Sequence, residues 1–139
     1  EHAVGRCLTG ATRWSSYPLA YYFGGSTEGL RYNYAAAMTN QGRVLVATSY
    51  GPLHAEQRLI SLAAERGQVI TELYSEFQPC EFTCIPLLRS QGISNVTWSF
   101  PWNALEGVDE LRANSRRERE QEVRRLFDGA PRQQRQTIP

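Results

Sequence analysis

His54, Glu56, Cys80 and Cys84 are the residues of this chain whose types and spacing could do chemistry together. One imidazole and two thiols are three ligands for an ion such as zinc, and three protein ligands leave a tetrahedral zinc one open corner for water. A fourth protein ligand would make the ion structural, whereas an open corner makes it catalytic. Water held there is acidified from a pKa of ~16 toward ~7. Glu56, two residues from the histidine, is placed to take and return its protons.

The spacing also dictates which elements must present these groups. Cys80 and Cys84 are four residues apart and share one helical face if Pro79 opens a helix, at the position where its missing N–H costs nothing. His54 and Glu56 are two apart, which on a regular helix means nearly opposite faces. His54 must therefore stand at the very start of its helix, with Glu56 in the first turn. Two helix N-termini then face the ion, where partial positive charge favours thiolate and hydroxide.

Apolar periodicity supplies such elements. Leu30 to Thr39 and Arg43 to Ser49 read as strands joined by the hairpin loop Asn40-Gln41-Gly42. The nearly continuous apolar run Val44 to Ala47 predicts a strand covered on both faces. Ala55 to Glu65 is helical, with Ala55, Leu59, Leu62 and Ala63 on one side and Gly67 as its stop. Val69 to Phe77 reads as a strand. The helix after Pro79 anchors through Ile85, Leu87 and Leu88, is distorted or shortened by Pro86, and closes at Gly92. Asn95 to Trp102 alternates Val96, Trp98, Phe100 and Trp102 with polar residues, a half-buried strand that Pro101 confines to an edge or an end.

Gly107 to Asp128 forms a long charged helix, supported by pairs such as Arg116 with Glu120 and Glu120 with Arg124. Its apolar residues lie only near its ends, so its middle is expected to face water or a partner. Upstream, a short helix over Pro18 to Phe23 is expected. The aromatics Trp14, Tyr17, Tyr21, Tyr22 and Phe23 either cover the core or stack on a bound base. Residues 129 to 139 form a tail without structural signal.

At 139 residues and 41% apolar content the chain fits one domain over residues 1–139, with one core and no room for a second. A formal charge of +1 excludes a strong global attraction to nucleic acid or membrane, although eight arginines face five acidic residues from Glu110 onward. All 15 basic residues are arginine, which reflects either the source genome or a use for the planar fork on phosphate and bases. Three cysteines are too few and odd in number for a disulfide framework, which fits a reducing compartment; Cys7 is read as a non-ligand. No apolar run is long enough to span a membrane, and no signal-peptide pattern opens the chain. A start without methionine suggests a piece of a longer protein.

The order hairpin, His-x-Glu helix, strand, Pro-Cys helix and further strand resembles the cytidine-deaminase-like superfamily, over about residues 30–102. His54-Ala55-Glu56-Gln57 and Tyr74-Ser75-Glu76-Phe77-Gln78-Pro79-Cys80 resemble, more narrowly, the bacterial toxin deaminases, the C-terminal warheads of polymorphic interbacterial toxins. Many members place two residues between the cysteines where this chain has three, which alters the geometry and not the ligand count. The resemblance implies an α/β, three-layer fold: a mixed sheet flanked by helices carrying a zinc site, followed here by the charged C-terminal helix. It also implies zinc ligated by His54, Cys80 and Cys84, with Glu56 as proton shuttle while water adds to C4 of a cytosine. The backbone around Ala55 and Glu56 would bind the cytosine O2, and the Phe77 and Gln78 carbonyls would receive its amino group.

The zinc motif is shared by deaminases of free nucleosides and of polynucleotides. Tyr50, just before His54, and Trp98, Phe100 and Trp102, after the Pro-Cys segment, are aromatic candidates for stacking a base, worth ~1–3 kcal/mol each, or else for core packing. No wedge or strongly basic cradle stands ready to repay unpairing a duplex. Single-stranded DNA is therefore the expected substrate, with RNA bases, double-stranded DNA and free nucleotides as alternatives, and a non-catalytic, zinc-stabilised binding module as a third class. The toxin resemblance implies delivery within a larger toxin to the cytoplasm of a target bacterium, and a cognate immunity protein as partner. The oligomeric state is not legible.

Overall fold

Ala35, Ala36 and Ala37, all fully buried, form the middle of the strand on which the sheet is built. Three small side chains in a row let a layer of helix approach each face of the backbone closely. The computed structural model describes residues 27–129 together with Leu19. Cys7, the aromatics Trp14, Tyr17, Tyr21, Tyr22 and Phe23, and residues 130–139 lie outside the described residues, and with them the expectations for those segments.

A 3-10 turn, Thr27–Arg31, leads into β1 (Tyr34–Thr39), β2 (Val44–Thr48), α1 (Ala55–Glu65), β3 (Ile70–Phe77), α2 (Cys84–Ser90), β4 (Val96–Phe100) and α3 (Val108–Gly129). The sheet order is β2-β1-β3-β4. β1 runs antiparallel to both β2 and β3, and β3 pairs parallel with β4 across the α2 crossover, which makes the sheet mixed. The β1–β2 hairpin closes through Gly42 at φ 75°, where its N–H donates to the Thr39 carbonyl at 3.0 Å.

The period-2 alternation of the strands sorts the core into two layers. Ala35, Ala37, Leu45 and Leu73 face α1 and α2, where they meet Leu59, Ala63 and Leu88. Ala36 and Tyr74 face the other way with Tyr34, and Val123 of α3 packs there. The expected α/β fold with helices flanking a mixed sheet is the fold observed. Among the described residues no helix is long and apolar enough to cross a membrane.

Four local expectations are corrected. The first strand begins at Tyr34, because residues 27 to 31 turn as 3-10 helix. Val44 to Ala47 does not form the strand covered on both faces: β2 is an edge and only Leu45 in it is buried, whereas β1 and β3 fill the centre. Helix α2 starts at Cys84, not after Pro79, which places Pro86 in its first turn, where an imide nitrogen forfeits no hydrogen bond. β4 is shorter than the Asn95 to Trp102 reading, Val96–Phe100, while its place at the sheet edge and its end directly before Pro101 are those expected from that proline.

The middle of α3 departs furthest from expectation, since Ser115 and Arg119 are both only 2% exposed. Ser115 donates to the Pro101 carbonyl at 2.5 Å. Arg119 donates to Glu76 of β3 at 2.7 Å and to the Leu30 carbonyl at 2.7 Å, with its guanidinium 4.6 Å from the Phe77 ring centroid. Arg116 lies over Trp102, and Glu120 pairs with Arg124.

Breaking a buried pair strands its partner's charge at a cost of about 3–5 kcal/mol, whereas replacing both members by apolar residues is often near neutral. Arg119→Leu is accordingly expected to lower the midpoint of urea unfolding strongly, and Glu76→Leu with Arg119→Leu to recover most of the loss. Equal destabilisation of the single and double variants would contradict this account of the pair.

Candidate metal centre

The Tyr50-Gly51-Pro52-Leu53 turn delivers the chain to the centre. Tyr50 and Leu53 exchange reciprocal backbone hydrogen bonds of 2.9 Å, and Gly51 supplies the positive φ of 57° that the reversal needs. Arg58 braces the turn from α1, donating to the Thr48 carbonyl at 2.8 Å while its guanidinium rests 5.6 Å from the Tyr50 ring centroid. His54 then caps α1 in extended conformation, φ −81° and ψ 154°. Its N–H donates to Oε1 of Gln57 at 2.7 Å, a contact that fixes the entry angle of the helix. Glu56 lands in the first turn, as the two-residue spacing required, and is 1% exposed.

Cys80 lies in a turn, not on α2. Its carbonyl accepts from the N–H of Cys84 at 3.1 Å and of Ile85 at 3.0 Å, so the turn winds directly into the helix. Cys84 N–H also donates to Cys80 Sγ at 3.3 Å. The two sulfurs are thus gathered by a turn followed by the first helical residue, not by one helical face.

Side chains from the loop after β4 hold this turn in place. Asn103 donates through Nδ2 to the Pro79 carbonyl at 2.9 Å and accepts through Oδ1 from Glu81 N–H at 3.2 Å. Gln78 reciprocates: its Oε1 accepts from the N–H groups of Trp102 and Asn103 at 3.0 and 3.2 Å. Strand pairing continues up to the ligands, with Gln78 N–H donating to the Phe100 carbonyl at 2.8 Å.

His54, Cys80 and Cys84 form a group able to hold a metal ion, with ligand atoms within 4.8 Å of one another. His54 Nδ1 lies 3.7 Å from Cys80 Sγ and 3.2 Å from Cys84 Sγ. A tetrahedral zinc with bonds of ~2.3 Å to sulfur and ~2.0–2.1 Å to nitrogen needs such edges to be about 3.6 Å. The donor set and its spacing therefore fit that ion. Electrostatics point the same way. Burial, then the neighbouring Glu56 carboxylate and Cys80, push the Cys84 thiol far above its ordinary range. Three potential anions crowd one spot, and a divalent cation is what lets them ionise together.

Glu56 Oε1 lies 3.6 Å from Cys84 Sγ, beside the ligands without being one of the three. Burial raises its carboxyl above the usual range, against opposing hydrogen bonds from backbone, Ser75 and Cys84 and the field of His54. A carboxyl shifted upward is better matched to passing protons near neutrality.

A buried carboxylate, a His-Cys-Cys group and the α/β scaffold agree with what comparison of the sequence shows: the family model for Xanthomonas-like deaminases matches residues 30–126. The chain belongs to that family. It is therefore a deaminase, a hydrolytic enzyme. No curated protein and no solved structure gives a significant match to this deaminase.

Ala55 is fully buried in the first turn of α1. Phe77 ends β3 and packs against Trp102 and Phe100, with ring centroids 4.7 and 6.1 Å away. Phe100 is thereby part of a half-buried aromatic cluster, and Trp98 lines a groove with Ile85 and Leu88 that reaches Gln78 and Pro79. Tyr50 is 68% exposed immediately ahead of His54.

Three residues escaped the sequence reading. Ser75, fully buried, hydrogen-bonds Glu56, and Asn33 Nδ2 donates to Ser75 Oγ at 3.1 Å while Asn33 Oδ1 accepts from Phe77 N–H at 3.2 Å. Only tertiary structure joins them, since Asn33 and Ser75 are 42 residues apart. Phe82, between the two cysteines, is 88% exposed, and an aromatic so placed in a Cys-x-x-x-Cys segment was a signal available in the sequence.

A raised folded-state pKa means that the stability Glu56 contributes when protonated is fully present below its unfolded pKa of ~4.3 and is lost as pH rises through the higher folded value. In chelator-treated protein, Glu56→Gln should therefore melt above wild type at neutral pH, with the gap closing as the pH falls through the raised folded value toward ~4. Thermal melts across pH check this, and a gap that widens on acidification would contradict it. Metal analysis should find a divalent transition metal in wild type and little in a Cys80→Ser, Cys84→Ser double variant.

Proposed function

We propose that this deaminase is zinc-dependent and converts cytosine to uracil in single-stranded DNA. The observation that carries the reading is the Glu56 carboxylate, buried within reach of the His54-Cys80-Cys84 group and held by Ser75. When bound by His54, Cys80 and Cys84, zinc would supply acidification of a water nucleophile at neutral pH.

The protein's own groups account for the proton traffic. Glu56 takes a proton from the attacking water and delivers it to ring N3 as the new C–O bond forms at C4. It then carries the second proton to the exocyclic amino group, so that the C4–N bond breaks and ammonia leaves. Water and cytosine thus become uracil and ammonia, with no redox change. Ser75 and Asn33 hold the carboxylate in position throughout, and burial around Ala55 and Glu56 excludes competing water. By position in the motif, the backbone at Ala55 and Glu56 would receive the cytosine O2, and the Phe77 and Gln78 carbonyls its amino group.

Exposed rings on both segments that carry the ligands support a substrate with stackable bases beyond the reacting one. Tyr50 precedes His54 and Phe82 separates the cysteines, and both are largely exposed. Base stacking on such rings is worth ~1–3 kcal/mol by ring removal. The wider reading is that of a toxin domain, delivered to the cytoplasm of a target bacterium and restrained by an immunity protein. Its support is the toxin-like phrase from Tyr74 to Cys80.

Purified chain is expected to form uracil in a cytosine-containing single-stranded oligodeoxynucleotide, read by uracil excision and strand cleavage. Glu56→Ala should reduce the rate by ~10²–10⁴; expressed in bacteria, the wild type should inhibit growth and raise genomic C-to-T changes, and Glu56→Ala should do neither. Activity confined to free cytidine, or retained in Glu56→Ala, would overturn the proposal.

A further inference from the structure

A cavity of about 430 Å³ opens where the approach to β1 faces α3, lined among others by Arg31, Tyr32, Asn33, Trp102 and Arg116. That volume is in the range of sites for small ligand groups. One wall belongs to the catalytic network: Asn33 hydrogen-bonds Ser75, which hydrogen-bonds Glu56. The cavity therefore lies two hydrogen bonds from the proton-carrying carboxylate.

Its charge is not balanced from within. Arg119 is neutralised by Glu76, and the Glu120 carboxylate on the rim is engaged by Arg124 at 2.8 Å. Among the described residues, neither Arg31 nor Arg116 forms an ion pair with a carboxylate. Each instead rests on an aromatic ring, Arg116 with its guanidinium carbon 4.9 Å from the Trp102 centroid and Arg31 with its own 5.5 Å from the Tyr32 centroid. A guanidinium laid on a ring is held in place while its planar N–H fork stays free for an anion. Trp102 is itself fixed by Arg112, which donates to its carbonyl at 2.9 Å and lies 4.9 Å from its centroid.

We infer that this cavity is a phosphate subsite, in which Arg31 and Arg116 grip a phosphodiester next to the target nucleotide of a single-stranded polynucleotide. The inference rests on the reading of the enzyme as a nucleic-acid cytosine deaminase. It adds the feature that separates a polynucleotide from a free nucleoside, which has no neighbouring phosphate to offer. The net charge of +1 does not oppose it, because two ring-supported arginines concentrate at one place what the whole chain lacks.

The test measures binding of a fluorescent single-stranded oligodeoxynucleotide with one cytosine, by anisotropy across salt concentrations, on a Glu56→Ala background that leaves the probe intact. Arg31→Glu and Arg116→Glu should each weaken binding by about tenfold and reduce the salt slope by about one, the signature of a lost phosphate contact. Arg116→Lys should recover part of the affinity. Arg43→Glu, the same charge change in the hairpin at the far end of β1, should bind like its parent, and thermal melts confirm that every variant is folded.

Equal binding by the Arg31→Glu, Arg116→Glu and parent proteins would overturn the subsite, as would an equal loss in Arg43→Glu. If 2′-deoxycytidine monophosphate displaced the probe at the oligonucleotide's own concentration, the site would take a free nucleotide and the polynucleotide assignment would fall. Turnover by protein with Glu56 intact separates the two levels. Absence of uracil in any oligonucleotide sinks the functional reading, whereas intact turnover with indifferent arginine variants sinks only the subsite.

Discussion

Two thiols and a carboxyl, each able to become an anion, are pressed against one imidazole, and the rest of the structure is organised to keep them there. Without a cation the arrangement is costly: burial and repulsion from Glu56 and Cys80 drive Cys84 toward its neutral form, and burial raises Glu56 as well. With a divalent ion the same crowding becomes affinity, because both sulfurs and the imidazole point at one place. Free energy spent on pre-assembling the site is returned when the ion binds. Glu56 stands beside the His54-Cys80-Cys84 group without belonging to it.

Holding such a site requires direction more than bulk. Apolar packing of Leu59, Leu73 and Leu88 fixes where α1 and α2 lie on the sheet, but apolar contacts tolerate small rotations. The ligand-bearing segments are oriented by hydrogen bonds. Gln57 sets the start of α1, and Asn103 and Gln78 tie the Cys80 turn to the loop after β4. Each of these bonds contributes only about 0.5–1.5 kcal/mol net, yet their angular preference sets ligand geometry to the fraction of an ångström that coordination needs.

Much of this was legible in the sequence, and the failures share a cause. The two-residue spacing of His54 and Glu56 required a helix start, and the chain places His54 at the N-cap of a helix whose bounds the apolar pattern had already marked. Gly67 and Gly92 end their helices as read, at φ 67° and 73°. The start of α2 was missed because Pro79 and Pro86 each satisfy a rule for proline in a first turn, and only tertiary contacts decide between them. The edge position of β2 was missed because an apolar run does not state how many neighbours its strand has. Ser115 and Arg119 look like solvated residues in any helical projection. Their burial depends on Pro101 and Glu76, partners that local periodicity cannot see.

Those two residues explain why the charged helix belongs to the catalytic unit. Arg119 reaches across the sheet to Glu76, covers the Phe77 ring and donates to the Leu30 carbonyl, so one side chain joins α3, the end of β3 and the approach to β1. The end of β3 is the segment that continues through Gln78 and Pro79 into Cys80, and the approach to β1 carries Asn33, which is hydrogen-bonded to Ser75. Loosening α3 would free both at once. The family match runs to residue 126, through most of this helix, as expected if the helix is part of what keeps the His54-Cys80-Cys84 group and the carboxylate in register. An apolar helix could have covered the same face. A buried guanidinium, which must find its acceptors or pay several kcal/mol for failing to, accepts only the one arrangement that supplies them.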